Sequence, residues 1–457
     1  MSALHQPPSH MPDPQALCPL IAHGAPGNAV AYRNGQPISA ARFIAELTQL
    51  AAALPATRHV LNVCRDRYRF AVGLAAAIYS NRISLLPSTH TPAVIRQLKE
   101  FAPDAICLTD DPVCDIALPL CLFPDGPVAA ERPWPAPSIA ADQLVAHVFT
   151  SGSTGVPVPH AKTWGDLVRC VKTEAERIAL FAAGPYTIVA TVPAQHMYGF
   201  ESSVLLALQS GKAFCAERPF YPADIASTLA AAPAPRVLVS TPIHLRTLIA
   251  GNIDLPPIAL ILSATAPLAE SLAHEVEARY AAPLLEIFGS TETGQIASRR
   301  TTQSAEWQLW PGVTIEVRDG QAWVAGGHVA VATPMGDILE VSGVDRFLLQ
   351  GRTADQVNIA GKRSSLSYLN HQLTSIPGVL DGAFFLRSGA PSAEIGIMRL
   401  GALVVAPGLD AKAIARQLRE RLDPAFLPRP LLLVPEIHRN ATGKLPLHAL
   451  QAQLADN

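Results

Sequence analysis

His147-Val148-Phe149-Thr150-Ser151-Gly152-Ser153-Thr154-Gly155-Val156-Pro157 is a short apolar run that feeds directly into a turn of hydroxyls and glycines. Glycine lets a backbone approach a ligand closely, and hydroxyls beside backbone N–H groups can wrap an anion such as phosphate. The spacing is not GxxxxGK(S/T), GxGxxG or the GxSxG elbow, which weakens three common readings of such a turn. A Ser/Gly-rich segment is by default a flexible surface loop, yet here a strand with a buried character leads into it.

Working outward, His147–Thr150 is one of several β-rich apolar runs: His59–Val63, Ala105–Leu108, Tyr186–Val192, Arg236–Ser240, Leu260–Ser263 and Leu284–Phe288 are the others. Helical periodicity at Arg69–Ile78 and Glu270–Tyr280 falls between them. The alternation predicts an α/β fold, with mostly parallel sheets flanked by helices in a large N-terminal domain. In such sheets ligands gather at the strands' C-terminal ends. The turns there, Thr150–Gly155, Pro193–Gly199, Ser240–Pro242, Ser263–Pro267 and Gly289–Gly294, are expected to share one crevice, although each alone reads as an ordinary connection.

Past Gly351 the pattern changes to a strand-rich segment, a helix over Asp410–Leu422 and a proline-punctuated tail, Pro424–Pro435. This is read as a small α+β C-terminal domain, residues 351–457, after a domain spanning 1–350. Pro124–Pro137 reads as a linker or loop, and no repeat of 20 to 50 residues is present.

With 457 residues, 49% hydrophobic and only 16% charged, the chain can bury more than one core. The formal charge of -2, with dispersed Lys and Arg, gives no footprint for nucleic acid or an anionic membrane. Seven cysteines without CxxC spacing read as reduced thiols of a cytoplasmic protein. Met1 to Pro14 has no basic start with an apolar stretch behind it, so it reads as a loose tail. No apolar run reaches the ~20 residues of a membrane span.

Two more segments carry chemistry. Glu286-Ile287-Phe288-Gly289-Ser290-Thr291-Glu292-Thr293-Gly294 sets a carboxylate among small hydroxyls just past a strand, where Glu292 could hold a magnesium ion. Asn440-Ala441-Thr442-Gly443-Lys444-Leu445-Pro446 offers one lysine on a glycine-hinged turn. Taken singly, the glutamate and the lysine are more often solvated side chains.

The three segments in this order resemble the adenylate-forming (AMP-binding) superfamily of acyl- and aryl-CoA synthetases, nonribosomal-peptide adenylation domains and luciferases. The resemblance spans about residues 147 to 446. It implies a large N-terminal domain, a small mobile C-terminal one, and ATP-dependent activation of an aryl or fatty acid as acyl-AMP. Transfer to a thiol of coenzyme A or an acyl carrier protein then follows.

By that resemblance, Thr150, Ser151, Gly152, Ser153, Thr154 and Gly155 form the phosphate turn, and Ser263 and Ala264 lie beside adenine in a glycine-poor version of the family turn. Phe288, with Gly289, is the aromatic that stacks on adenine, Thr291 contacts the α-phosphate, and Glu292 binds Mg2+. Asp337 and Arg352 hold the ribose side, Arg363 is an arginine of the C-terminal domain, and Lys444 bridges the substrate carboxylate and nucleotide. His196, in Pro193-Ala194-Gln195-His196-Met197-Tyr198-Gly199, sits near the acyl pocket, for which Phe200, Ser240 and Ala264 are candidate linings.

Two positions depart from the family pattern. Val158 stands where a lysine usually continues the phosphate turn, with Lys162 or His160 as candidate substitutes, and Ala354 stands where a hinge acid is common, with Asp355 one place late. The run Pro159 to Trp164 is similar to AMP-ligases of aryl-polyene or xanthomonadin-type pigment clusters, which implies a carrier-protein acceptor. Two other readings stay open: a non-catalytic nucleotide- or acyl-binding relative, and an adenylating enzyme whose second step is not thioesterification.

Overall fold

The computed structural model describes residues 16–87, 89–124, 126, 135–151, 157–179, 184–352, 356–359, 362–387, 399–440 and 445–455. The N-terminal tail, most of Pro124–Pro137, the turn from Gly152 to Gly155, Ala354, Asp355 and Lys444 lie outside these residues.

The apolar runs rich in Val, Ile and Leu are strands buried on both faces, as the interior of a parallel sheet demands. Ile188, Ala190, Val237, Val239 and Leu262 point into one core, while Val189, Leu238 and Ile261 point into another. That is the two-residue period of a pleated strand, met by apolar side chains at every position.

Eleven strands form the larger sheet, in the order Asp337–Val341, Arg346–Arg352, Trp307–Leu309, Gly294–Arg299, Leu284–Ser290, Leu260–Ser263, Arg236–Ser240, Thr187–Ala190, Ala213–Cys215, Ala29–Arg33 and Gln36–Ser39. Its middle, from Leu284–Ser290 to Ala29–Arg33, is parallel; both flanks are antiparallel. A six-stranded sheet runs Pro157–Thr163, Leu144–Ser151, Ile83–Leu86, His59–Asn62, Ile106–Thr109 and Leu120–Leu122, antiparallel only at Pro157–Thr163.

Helices Ala40–Ala53, Arg67–Tyr79 and Trp164–Arg177 fill the space between the two sheets, so Phe43, Phe70 and Trp164 share a core with Val60 and Val237. Ser39, Asp66 and Thr163 cap their N-termini through side-chain acceptors, each such cap worth about 1 kcal/mol. Pro222–Ala231, Pro242–Ala250 and Glu270–Tyr280 cover the outer face of the larger sheet, and Pro92–Phe101 that of the smaller. The result is a five-layer α/β unit that buries the strands' middles and leaves their C-terminal ends to build a site.

Residues 294–352 are antiparallel throughout, including a separate sheet of Val313–Arg318, Gln321–Gly326 and Val329–Pro334. The C-terminal part is α+β: strands Asp381–Arg387, Arg399–Val405 and Leu431–Leu433 carry helices Leu366–Thr374 and Ala411–Arg421 on one face and Leu447–Ala455 on the other. Phe384, Ala402 and Val404 face the first pair; Phe385, Leu403 and Val405 face the last. The helix expected over Asp410–Leu422 is Ala411–Arg421, with Asp410 capping it by accepting from the Ala413 N–H at 2.6 Å.

All seven cysteines carry free thiols, four of them buried. Among the described residues no helix is long and apolar enough to cross a membrane.

Candidate active site

The phosphate-turn candidate is the connection of a hairpin, Leu144–Ser151 with Pro157–Thr163, in which Thr150 faces Val158 and Ser151 faces Pro157. The turn itself lies outside the described residues, and so does the Ser151 side chain. Thr150 Oγ1 shares a hydrogen bond with His160 Nε2 at 2.9 Å. His160 Nε2 in turn lies 3.6 Å from Glu292 Oε1, and Lys162 Nζ donates to the Glu292 carbonyl at 3.0 Å. Two sequence motifs distant in the chain therefore meet through His160 and Lys162, the latter 130 residues from Glu292. Burial holds the His160 imidazole below its ordinary range, with Lys162 adding to that and Glu292 opposing it.

The Glu292 turn is held rigidly from below. Gly289 lies so close to the returning strand that a Cβ there would stand 2.2 Å from the Gly294 carbonyl, and Gly294 itself has φ +71°; only glycine suits either place. Thr291 and Glu292 are half-buried at the tip. Phe288 packs against Trp307 and Phe347, with ring centroids at 5.3 and 5.6 Å. Glu286, further back on the strand, accepts from Arg299 at 2.7 and 2.8 Å, from Thr301 Oγ1 at 2.9 Å and from the Leu268 N–H at 3.1 Å. The last bond ties this strand to the Ser263–Pro267 turn. In that turn Thr265 has φ +80°, an outlying conformation for a β-branched residue. The glycine-poor turn thus takes a left-handed residue at the cost of strain.

Under the Glu292 turn lies a buried polar cluster. Lys162, Cys170, Glu174, Glu201, Ser202, Gln295 and His328 are all buried. Cys170 Sγ contacts Glu201 Oε1 at 3.5 Å, and Gln295 Nε2 donates to Ser202 Oγ at 2.7 Å. Burial pushes the Glu174 carboxyl up to about 8, with Glu201 adding to it while Ser202 and Gln295 offset part. Burial likewise pushes Glu201 up to about 7, against the pull of Lys162, Cys170 and Gln295. His328 is driven down to about 4, by burial first and then by Lys162.

Sequence reasoning missed Glu174, Glu201, Glu286 and Arg67, because a charged residue reads as solvated by default. Two signals were there: Glu201 interrupts the apolar stretch from Met197 to Leu208, and Glu174 occupies the apolar stripe of its helix with Leu167, Cys170 and Val171.

The remaining turns converge from the same side. Arg67 donates to Ser203 Oγ at 2.7 Å and to the carbonyls of Ala190 and Val192 at 2.8 and 2.9 Å, fixing the strand end that leads to His196. His196 starts a short helix that runs into a π-helix, Phe200–Leu205, a form often found at functional sites. Thr191 and Ser240 hydroxyls lie 3.2 Å apart, and Ser240, Ser263 and Glu286 are register partners in sequence across three strands. Phe200 and Ser240 are fully buried core residues, and Ala264 is nearly so.

Asp337 and Arg352 face each other in the ladder of the two outermost strands, fifteen residues apart in sequence yet adjacent in space. The side chains of Arg352 and Arg363 are outside the described residues; Arg363 sits in the ribbon Gln356–Ile359 with Lys362–Ser365. A crevice of about 140 Å³ separates the Thr241–Arg246 and Ala266–Ala269 segments from Asn370, His371 and Asp381 of the C-terminal part. Across it Arg246 reaches Asp381 at 3.6 Å, while Arg439 holds that carboxylate in two bonds of 2.8 and 2.9 Å. A larger depression of about 640 Å³, at Thr57, Arg58, Arg82 and Asp104, lies at the strands' N-terminal ends, the wrong side for a ligand of a parallel sheet.

Among the described residues no three His, Cys, Asp or Glu side chains cluster for a metal. Glu292 is a single carboxylate, 35% exposed. That fits an ion such as Mg2+, which is commonly held by one or two carboxylates and by substrate phosphates.

A five-layer α/β unit with hydroxyl-rich turns and a carboxylate tip at its strands' C-terminal ends, facing a small α+β unit, is the architecture of adenylate-forming enzymes. The sequence profile of AMP-binding enzymes matches residues 25–334, and the chain belongs to that family. It is a ligase that activates a carboxylic acid with ATP. A 4-coumarate–CoA ligase of Rhodobacter capsulatus is 31% identical over 292 residues, 61% of this chain and 73% of that one. A second, from Halorhodospira halophila, is 28% identical over 303 residues, 65% and 73% of the two chains. Among solved structures, ATP-bound MatB from Rhodopseudomonas palustris superposes with TM-score 0.77 at 20% identity, over 95% of this chain and 97% of that one. The anthranilate CoA ligase AuaEII with anthranoyl-AMP gives 0.79 at 14%, over 94% and 95%. At such identities the structures speak for the fold alone.

Proposed function

We propose that the protein activates an aromatic carboxylic acid of the 4-coumarate type as its acyl-AMP and passes the acyl group to the thiol of coenzyme A or of a carrier protein. The observation that carries this is the meeting of Thr150 and Glu292 around His160 and Lys162, with 4-coumarate–CoA ligases as relatives supplying the acid class.

A carboxylate resists thiol attack because oxide would have to leave. In the first step its oxygen attacks the α-phosphorus, the bond to pyrophosphate breaks, and pyrophosphate departs. Anion then meets anion, so positive charge and hydrogen-bond donors aimed at the phosphates lower the barrier. In this reading the Thr150–Gly155 turn grips the pyrophosphate end, Thr291 donates to the α-phosphate, and Lys444 bridges carboxylate and nucleotide. Ser263, Ala264 and Phe288 with Gly289 frame the adenine, while Asp337 and Arg352 take the ribose. Bound Mg2+, held by Glu292, would neutralise charge on the phosphates. In the second step the thiol sulfur attacks the acyl carbon, its proton is lost, and AMP leaves. His196 stands near the acyl group, and Arg363 faces the nucleotide when the C-terminal domain, residues 351–457, closes on residues 1–350. Reduced thiols at all seven cysteines suit a cytoplasmic setting.

In the run Pro159–Trp164, Lys162 and Trp164 are buried while Pro159 and Ala161 are exposed, and the acceptor is decided by assay. Pyrophosphate exchange across a panel of aryl and fatty acids tests the reading, followed by thioester detection on coenzyme A and on a carrier protein side by side. ATP binding without exchange for any acid would replace the ligase by a nucleotide-binding relative; exchange without either thioester would point to a different second step.

A further inference from the structure

Pro157–Thr163 is a strand, so residues 158, 160 and 162 share one face. Val158 at its open end is 44% exposed, His160 is half-buried, and Lys162 at the far end is only 7% exposed. The usual lysine position of the phosphate turn is thus apolar, and a cation sits four residues on, about 13 Å along the same face.

That cation is not solvated. Its Nζ donates to the Glu292 carbonyl at 3.0 Å, and burial lowers its pKa from the ordinary lysine value, opposed by the nearby carboxyls of Glu201, Glu292 and Asp166. Gly294 presses on Glu201 from the other side, where an added Cβ would stand 3.0 Å from Glu201 Oε1. Burying a charged amine costs more than one hydrogen bond to a carbonyl returns, so packing alone does not account for a lysine here.

We propose that Lys162 is a positioning residue that replaces the missing phosphate-turn lysine from beneath, fixing the Thr291-Glu292 tip by its main chain and placing a desolvated positive charge under the bound triphosphate. This rests on the nucleotide-site reading above and deepens it. Lys162 touches the loop that meets the nucleotide, not the nucleotide itself.

The test measures Mg–ATP affinity by calorimetry and the kinetics of pyrophosphate exchange, in the full-length chain. Lys162→Met is expected to weaken Mg–ATP binding and lower exchange kcat/KM for ATP by about 10- to 100-fold, with KM for the acid unchanged. Adding Glu201→Gln removes the carboxyl left without its cation, so it restores the thermal midpoint but not the ATP defect; a purely structural role would restore both. Adding Val158→Lys to Lys162→Met returns a cation to the exposed end and recovers part of the affinity. A folded Lys162→Met protein with wild-type Mg–ATP affinity overturns the proposal. If the wild type binds ATP but exchanges no acid, the ligase reading fails separately, and the calorimetry still decides the role of Lys162.

Discussion

Glu286→Ala should cost about 3 kcal/mol of stability and raise KM for ATP together. The substitution leaves the Arg299 guanidinium, whose side chain is 17% exposed, without its counter-charge; deleting one member of a buried pair costs about 3–5 kcal/mol. Two compensations remain. Arg299 keeps its place 4.5 Å over the Trp307 ring and its bond to the Ala305 carbonyl at 3.0 Å, and a cation–π contact is worth about 0.5–2 kcal/mol. The net expectation therefore sits at the low end of the range. The Leu268 N–H also loses its acceptor, which loosens the turn carrying Ser263 and Ala264. The assay is urea unfolding followed by tryptophan fluorescence. All five tryptophans precede residue 351, so the signal reports the N-terminal unit alone. The double variant Glu286→Ala/Arg299→Met should recover about 2 kcal/mol relative to the sum of the single changes. A loss below about 1 kcal/mol, or strictly additive effects, would refute the account of Glu286 as the pin of this turn.

Glu292→Gln should lower exchange by about 10²–10³ and shift its Mg2+ dependence, with a nearly unchanged melting midpoint because, among the described residues, the half-exposed carboxylate's ion-pair partner is His160, at 3.6 Å; a melt that falls in step with activity contradicts a ligand role. Arg246→Ala removes a cross-crevice pair of 3.6 Å, worth at most about 1 kcal/mol or roughly fivefold. It should change the ratio of acyl-AMP formation to thioester formation in rapid-quench experiments, and an unaltered ratio discards that contact as a functional one.

For pH, Glu201 and Glu174 are raised to about 7 and about 8 in the fold, above the ordinary carboxyl range. The native state therefore holds protons that the unfolded chain has released, and stability falls as pH rises through that window. His23, His244 and His328, lowered to about 4 by burial, act oppositely, with their contribution complete above the ordinary histidine value of about 6.5. Between pH 6.5 and 8.5 the melting midpoint should thus decline, and Glu174→Gln with Glu201→Gln should flatten it; a flat wild-type curve there would contradict buried, protonated carboxyls.

The parallel strands were legible because each is a short apolar run closed by a turn signal. Arg236–Ser240 and Leu260–Ser263 have the bounds the sequence gives them. The antiparallel region 294–352 was not, since strands such as Val313–Arg318 carry charges on a solvent face and lose the apolar run that marks a buried strand. The hairpin Ala29–Arg33 with Gln36–Ser39 was missed although Asn34-Gly35, both at positive φ, is a strong turn signal. In the site, motif residues were legible because their chemistry is specific to a ligand. Glu201, Glu174 and Arg67 were not, because a buried charge has meaning only once its partners are placed, and these come from distant segments.

The ladder between Leu144–Ser151 and Pro157–Thr163 matches residue to residue from Ser151 with Pro157 to Ala146 with Lys162, and its one irregularity comes after Lys162. Inserting or deleting a single residue between 157 and 161 would exchange the inward and outward faces, turning Lys162 toward solvent and Ala161 toward Glu201. Length changes during divergence are therefore tolerable here only in pairs, or within the connection before Pro157. The hairpin acts as a ruler marked in twos, and descendants of this sequence should show even-numbered gaps at this point.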